Sequence, residues 1–329
     1  MRNLFSKTFL VTSAAVGALY AGASQAQDAK LVQTNLVSDL SSLNATITDP
    51  QLVNPWGVSH LPTSPFWVSN QGKNSATLYA VTDETNVTKI NINPPTGFVA
   101  IPTTASGPQG PTGQVSNSNA ECFPVGSGGD GKPALFIFAN LNGTISAWDR
   151  GAGPATVVQM SGTAGTIYTG LAINGGQTRL YAANTSLGRI DVFDCSFKPV
   201  NLGSDAFKDP SLQTGFVPFN VQDIGGDVYV TYAPAGRPAQ INAPLGAGAV
   251  AIFDEDGNFS FLHSEINAFI PSNGKLHGTI PIDTGNSAPG GLWAIEFGVG
   301  GQNGSPDVLY FADGIDSEKH GLFGAITAH

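Results

Sequence analysis

Leu135-Phe-Ile-Phe-Ala-Asn140 runs through a polar turn into Gly143-Thr-Ile-Ser-Ala-Trp-Asp149. About 45 residues later the pattern returns as Leu180-Tyr-Ala-Ala-Asn184 and Gly188-Arg-Ile-Asp-Val-Phe-Asp194. Each copy is an apolar strand, a turn and a second strand. Looser copies begin at Phe66-Trp-Val-Ser-Asn70, Val228-Tyr-Val-Thr-Tyr232 and Leu309-Tyr-Phe-Ala-Asp313. They continue into Ala76–Val81, Gly248–Asp254 and Gly321–Ile326. A short strand with small residues precedes several pairs: Asn54-Pro-Trp-Gly-Val58, Gly170-Leu-Ala-Ile173, Phe219-Asn-Val-Gln222 and Gly291-Leu-Trp-Ala-Ile295. Small side chains suit a position where strands converge. Three or four strands per unit, recurring through one domain, are the signature of a β-propeller. Radial packing buries both faces of a blade, so its strands read as continuous apolar runs.

The expected fold is therefore all-β: a propeller of five to six blades, mostly four-stranded antiparallel sheets, spanning residues 27–329. Leu31-Val-Gln-Thr-Asn-Leu-Val37 also reads as a strand. The last copy ends too close to residue 329 to hold an outer strand of its own. The N-terminal strand is expected to close that blade against Leu322–Ile326.

Composition agrees. The 329 residues include 41 Gly and 22 Pro, with only 12% charged and 41% apolar. That excludes a helical bundle or coiled coil, which needs Ala, Glu, Lys and Leu. Four Trp, seven Tyr and 19 Phe can build a core, so the chain is not disordered. The formal net charge of −10 and the lack of any Lys/Arg cluster exclude a nucleic-acid footprint.

Residues 1–26 read as a signal peptide. Arg2 and Lys7 form a basic region, Thr8 to Gly22 is mostly apolar, and Ser24-Gln25-Ala26 supplies a small-residue cleavage site. The expectation is export to the periplasm or outside the cell after cleavage near Ala26, with no membrane span in the mature chain. Export favours oxidation, so Cys122 and Cys195 are either a disulfide or two isolated thiols.

These motifs resemble a family of exported bacterial proteins of uncharacterised function, read as six-bladed propellers. The matching segments are Asn54–Gly57, Ser64–Asn70, Pro111–Val115, Phe138–Asp149, Pro218–Gly226 and Asp313–Gly324. The resemblance covers nearly all of 31–326 and implies no established reaction. One departure stands out. After Phe261 the chain runs into His263–Ile270 and Gly274–Ile280, which resemble only the outer half of a blade. More distantly the architecture is similar to calcium-dependent lactonases and phosphotriesterases and to NHL-repeat modules, an analogy of fold that does not fix function.

Chemical motifs are few. There is no G-x-S-x-G elbow and no H-E-x-x-H. Gly126–Gly131 leads into a strand rather than a helix, so it is a loop and not a dinucleotide fingerprint. Asp254–Asn258 reads as a hairpin turn rather than a calcium loop.

The best constellation is distributed. Asn70, Asn140, Asn184 and Asp313 end second strands and fall on one face of a ring. Asn54 and Asn220 sit at the start of inner strands on that face. Their oxygens suit Ca²⁺ or a polar ligand, and equally suit local strand-end turns. Glu296, at the end of an inner strand, could add charge, although its place in the strand points towards the opposite face. A second candidate is the acidic loop Asp316, Glu318 and His320. Trp56, Trp67, Trp148 and Trp293 sit in strand patterns and read as packing residues.

The reading is an exported module that binds a small molecule, glycan or extracellular protein on one face of the ring. The alternatives are a Ca²⁺-dependent hydrolase of lactones or phosphoesters, and a structural surface or matrix protein. Whether the chain is an enzyme is left open by its residues.

Overall fold

Short apolar runs interrupted by Gly, Asn and Asp turns fold into strands that lack length for anything but small sheets. The computed structural model describes residues 31–328 apart from 84, 127–130, 152, 211, 213, 245–246, 261–290 and 316–318. The expected leader, the half-blade segments His263–Ile270 and Gly274–Ile280, and Asp316 and Glu318 lie outside the described residues.

The chain opens with β1 (Leu31–Ser38) and β2 (Ile47–Thr48). The first blade is β3 (Pro55–Ser59), β4 (Phe66–Asn70), β5 (Ser75–Val81) and β6 (Val87–Ile90), with β7 (Val99–Ala100) also on β5. The second is β8 (Pro111–Ser116), β9 (Phe136–Asn140), β10 (Thr144–Trp148) and β11 (Thr156–Met160). The third is β12 (Tyr168–Ile173), β13 (Arg179–Asn184), β14 (Arg189–Asp194) and β15 (Pro199–Val200). The fourth is β16 (Phe216–Ile224), β17 (Asp227–Pro234), β18 (Ala249–Asp254) and β19 (Phe259–Ser260), with a helical turn α1 (Arg237–Ile241) between β17 and β18. The fifth is β20 (Gly291–Phe297), β21 (Leu309–Ile315) and β22 (His320–Ala328).

β1 supplies the missing outer strand. It pairs antiparallel with β22, from Leu31 opposite Ala328 to Ser38 opposite Leu322. Among the described residues the ring thus has five blades, the last completed by the chain's own N-terminal strand, at the lower of the two expected blade counts. Side chains secure the closure. Ser38 Oγ donates to Gly321 O at 2.8 Å. Asp39 takes the Gly321 N–H at 2.7 Å and lies 2.7 Å from His320 Nδ1.

The core lies in the seams between blades. Between the first and second, Trp67 stacks on Phe136 at 4.0 Å, with Trp148 tilted against it. Between the second and third, Ile137 and Ala139 meet Leu171, Leu180 and Phe193. There Cys122 and Cys195 form a disulfide with Cα atoms 4.7 Å apart. Between the fifth and first, Phe66 and Tyr79 meet Tyr310 and Phe323. Asp49, 2% exposed, lies at this seam. It accepts from Tyr79 Oη at 2.7 Å and pairs with Lys89 Nζ at 2.8 Å. Asp254 accepts the backbone N–H groups of Asp256 and Asn258, which makes 254–258 the turn its residues suggested.

The inner strands share one irregularity. Pro55 faces Asn70, Pro111 faces Asn140, Tyr168 faces Asn184, Pro218 faces Tyr232 and Leu292 faces Asp313, and immediately afterwards each register slips by one residue. A one-residue bulge bends a strand and re-aims its side chains. The bulge fixes an equivalence that no spacing in the sequence displays: Trp56, Thr112, Thr169, Phe219 and Trp293 occupy the same place in five blades. The next place holds Gly57, Gly113, Gly170, Asn220 and Ala294.

The glycines are there because inner strands touch. A Cβ on Gly57 would lie 2.7 Å from Thr112 O, and one on Gly170 would lie 2.8 Å from Asn220 Cα. A Cβ on Gly113 would overlap the backbone of Gly170 and Leu171. Thr112 and Thr169 tie the same strands together by donating to Tyr168 O at 2.9 Å and to Phe219 O at 2.5 Å.

Candidate functional site

Where blades two and three use threonine, blades four, five and one place aromatic rings. Trp56 and Trp293 stack with centroids 3.9 Å apart and planes 11° off parallel. Phe219 closes the group at 6.1 Å from Trp56 and 5.9 Å from Trp293. Trp56 is 7% exposed, and its Nε1 has no hydrogen-bond partner. Trp293 is half-buried. Its Nε1 donates to Asn54 Oδ1 at 3.1 Å.

A carboxamide chain leads away from this point. Asn54 Nδ2 donates to Gln71 Oε1 at 2.7 Å, and Gln71 Nε2 donates to Gln109 O at 2.7 Å. Gln109 Oε1 accepts from Asn142 Nδ2 at 2.9 Å. The longest loop between a second and a third strand, 235–248, rises on the same face. It carries α1 and sets the Arg237 guanidinium 6.0 Å above the Trp293 ring. Burial there lowers the arginine's pKa. Aromatic faces, amide groups and one cation around an axis can hold a polar molecule that has a flat apolar side.

The residues singled out from sequence are distributed differently. Asn70, Asn140, Asn184 and Asp313 do share one register level, buried to 2% exposure or less. The first three turn into the seams. Side chains alternate along a strand, so Asn140 shares its face with Phe136 and Phe138, which pack on the first blade. Asn70 donates to Ser75 Oγ and Thr77 Oγ1, and Asn140 to Thr144 Oγ1 and Ser146 Oγ. Asn184 donates to Asp191 Oδ2 at 2.8 Å and accepts from Ser186 and Leu187. No hydrogen bond described in the structure joins any two of the four. The Oδ1 atoms of Asn70 and Asn140 are buried without a donor.

Asn54 lies at the axial mouth. Asn220 sits beside the axis on the bulge of β16, where its N–H meets Thr231 Oγ1 at 2.9 Å. In the second candidate loop, His320 is the described member, and it binds Asp39 at the ring closure. Among the described residues, no group of three or more His, Cys, Asp or Glu is assembled to hold a metal.

The opposite end of the inner strands holds a pair that sequence reading did not join. Glu296, at the end of β20, approaches His60, just past β3, with Oε1 3.5 Å from Nε2. His60 Nδ1 lies 3.2 Å from Asn303 Nδ2. Burial alone would lower the imidazole's pKa, but Glu296 and the carbonyls of Leu61 and Phe297 raise it above the ordinary value. Glu296 does point away from the asparagine face. Its partner was invisible because the two lie in different blades, far apart in sequence. Trp56 and Trp293 did leave a signal, since both sit in the short strands that precede a repeat.

No family model matches the chain. It is similar to an uncharacterised protein of Acanthamoeba polyphaga mimivirus, 27% identical over 234 residues, covering 68% of this chain and 54% of that protein. A second uncharacterised protein of the same virus is 27% identical over 238 residues, covering 68% and 58%. The chain spans a little over half the length of these curated relatives. Among solved structures it is similar to a protein of unknown function from Bacteroides thetaiotaomicron, with TM-score 0.44 and 10% identity, covering 87% of this chain and 60% of that one. A protein from Lactobacillus plantarum matches with TM-score 0.40 and 14% identity, covering 80% and 65%.

Proposed function

We propose that the protein is a binding module whose ligand sits at the axial mouth formed by Trp56, Trp293, Phe219 and Asn54. The observation that carries this reading is the unpaired, buried indole N–H of Trp56 within a three-ring cluster beneath the longest loop on that face. A buried donor without an acceptor costs about 1–3 kcal/mol, and such groups call for an explanation such as an ordered water or ligand atom. A ligand with an acceptor over the axis and a flat apolar side, such as a saccharide, fits that chemistry. Export is part of the same proposal and rests on the leader-like residues 1–26. Fractionation with a tagged chain checks it.

The test of binding is tryptophan fluorescence titrated with neutral and acidic oligosaccharides. The expected result is a saturable shift in emission that Asn54→Ala weakens at least tenfold. A folded protein whose emission ignores the whole panel would overturn the saccharide reading.

The Ca²⁺-dependent hydrolase is the second reading. It is supported by a buried, donor-free Oδ1 on each of Asn70 and Asn140, which lie in separate seams. A cation bound to the folded state raises the melting temperature by mass action. Melting that is identical with Ca²⁺ and with EDTA would remove this reading.

A further inference from the structure

In the second blade, β8 ends, β9 begins and β10 ends on the face opposite the axial mouth: Ser116 faces Phe136, and Phe136 faces Trp148. Beyond these strand ends lies a cavity of about 400 Å³. Residues 117–120 form one wall and residues 132–135 another, and Asp149 and Arg150 join them. Side chains fix these walls. Asn117, 1% exposed, donates through Nδ2 to Ala134 O at 2.8 Å and to Asn119 O at 3.1 Å, and its Oδ1 accepts the Asn119 N–H at 3.0 Å. The third blade reaches across as well. Gln177 Oε1 accepts the Ser118 N–H at 2.7 Å and the Ser118 hydroxyl at 2.9 Å. Just past this wall, Cys122 is bridged to Cys195. A cavity whose walls are already ordered binds without a large ordering cost.

The chain has 14 Lys and Arg against 24 Asp and Glu, yet two of those cations, Lys132 and Arg150, line this cavity. They come from separate segments, one before β9 and one after β10. Lys89, Arg179 and Arg189 each pair with a carboxylate. Among the described residues no carboxylate makes an ion pair with Lys132 or Arg150. Arg150 also holds a φ of 75°, a conformation that suits glycine and disfavours a side chain. Backbone held in this way clusters at functional sites. A guanidinium fork matches the two oxygens of a carboxylate or phosphate. Asp149 lines the same cavity, with Oδ1 on the Gly151 N–H at 3.0 Å. Two cations beside one carboxylate leave a single formal positive charge, which favours a monoanion over a dianion. Pro133 and Leu135 add apolar wall. We propose that this cavity is a second binding site, for a monocarboxylate with a small apolar body. Arg150 and Lys132 hold the carboxylate, and Pro133 and Leu135 cover the body. The site is independent of any ligand at the axial mouth.

Calorimetric titration of the full chain with phenylacetate and with hexanoate tests it, with phenylacetamide and sulfate as comparison probes. The expected result is saturable binding of both carboxylates, weakened by added salt. Arg150→Gln and Lys132→Gln should each weaken it at least tenfold. Phenylacetamide and sulfate should bind at least tenfold more weakly than phenylacetate. Arg150→Gly keeps the left-handed turn without strain. It should lose carboxylate binding while melting at or above the wild-type temperature, which separates loss of the charge from loss of the fold. Absence of binding by both carboxylates overturns the proposal, and so does binding that survives the two glutamine substitutions. Phenylacetamide binding as tightly as phenylacetate, or sulfate binding more tightly, overturns the assignment to a monocarboxylate.

Discussion

Trp56 and Trp293 lie face to face, 3.9 Å apart, although one begins the first blade and the other belongs to the last. Their contact bridges two blades by side chains at the axis, where Thr112 and Thr169 use hydrogen bonds for the same task. Trp56→Ala should therefore cost about 3–5 kcal/mol, the usual range for emptying a large aromatic site. Trp56→Phe keeps most of the apolar volume and deletes the unpaired N–H, so its cost should stay within about 1 kcal/mol. Urea unfolding of the two variants separates them. A Trp56→Ala protein as stable as the wild type would show that the stack does not hold the ring.

Gly113 is the tightest of the three inner-strand glycines. A Cβ there would overlap the backbone of Gly170 and Leu171, which has no rotamer to yield. Gly113→Ala should destabilise by about 1–3 kcal/mol or more through overpacking. Gly175→Ala is the control, since a Cβ at that turn meets no heavy atom within 4 Å. It should leave the denaturation midpoint nearly unchanged. Equal effects at the two sites would contradict the close approach of β8 and β12.

These two cases also mark how far the residues themselves could be read. The repeated strand pair, the small residues at the inner strand and the N-terminal closing strand were legible because each is a local pattern. The order in which the strands pair follows from that pattern. The bulge was not legible, since it exists only relative to a partner strand. Without it, Asn70, Asn140 and Asn184 are seen to share a level, but not to turn into the seams. The alignment of Trp56 with Trp293 was hidden for the same reason. So was the His60–Glu296 approach, which depends on closure of the ring.

Asp49 makes a different demand. Its carboxylate is almost fully buried and is held by Tyr79 Oη and Lys89 Nζ, at the seam where the N-terminal segment meets the first blade. Burial and the neighbouring carboxylate push the Tyr79 phenol well above its ordinary pKa, so it stays a donor across the accessible range. Removing one partner of a buried pair leaves the other uncompensated and typically costs about 3–5 kcal/mol. Asp49→Ala should fall near the lower end, because Lys89 retains some solvent contact. Tyr79→Phe should cost about 1 kcal/mol. Thermal unfolding of both variants measures the difference, and a larger loss for Tyr79→Phe would mean that the carboxylate is not the centre of this contact.

His60 gives the ring a pH dependence whose sign is fixed by geometry. Its imidazole is favoured as the cation by Glu296, which outweighs the burial that disfavours charge. A histidine whose folded pKa lies above its unfolded value of about 6.5 binds its proton more tightly in the folded state. The resulting stability is fully present below that unfolded value and is lost as pH rises through the folded pKa. Glu296→Gln removes the attraction and keeps the shape. The wild type should therefore exceed the variant in melting temperature most clearly between about pH 5.5 and 6.5, at and below the ordinary histidine value. The gap should narrow steadily toward about pH 8.5, well above the ordinary histidine range. Raising the salt concentration should shrink it only in part, because His60 is buried and Glu296 is partly so. A gap that is constant from acid to base, or that widens with pH, would rule out the pairing as the source. An NMR titration of the His60 ring, expected to shift to lower pKa in Glu296→Gln, ties the melting curves to this one residue.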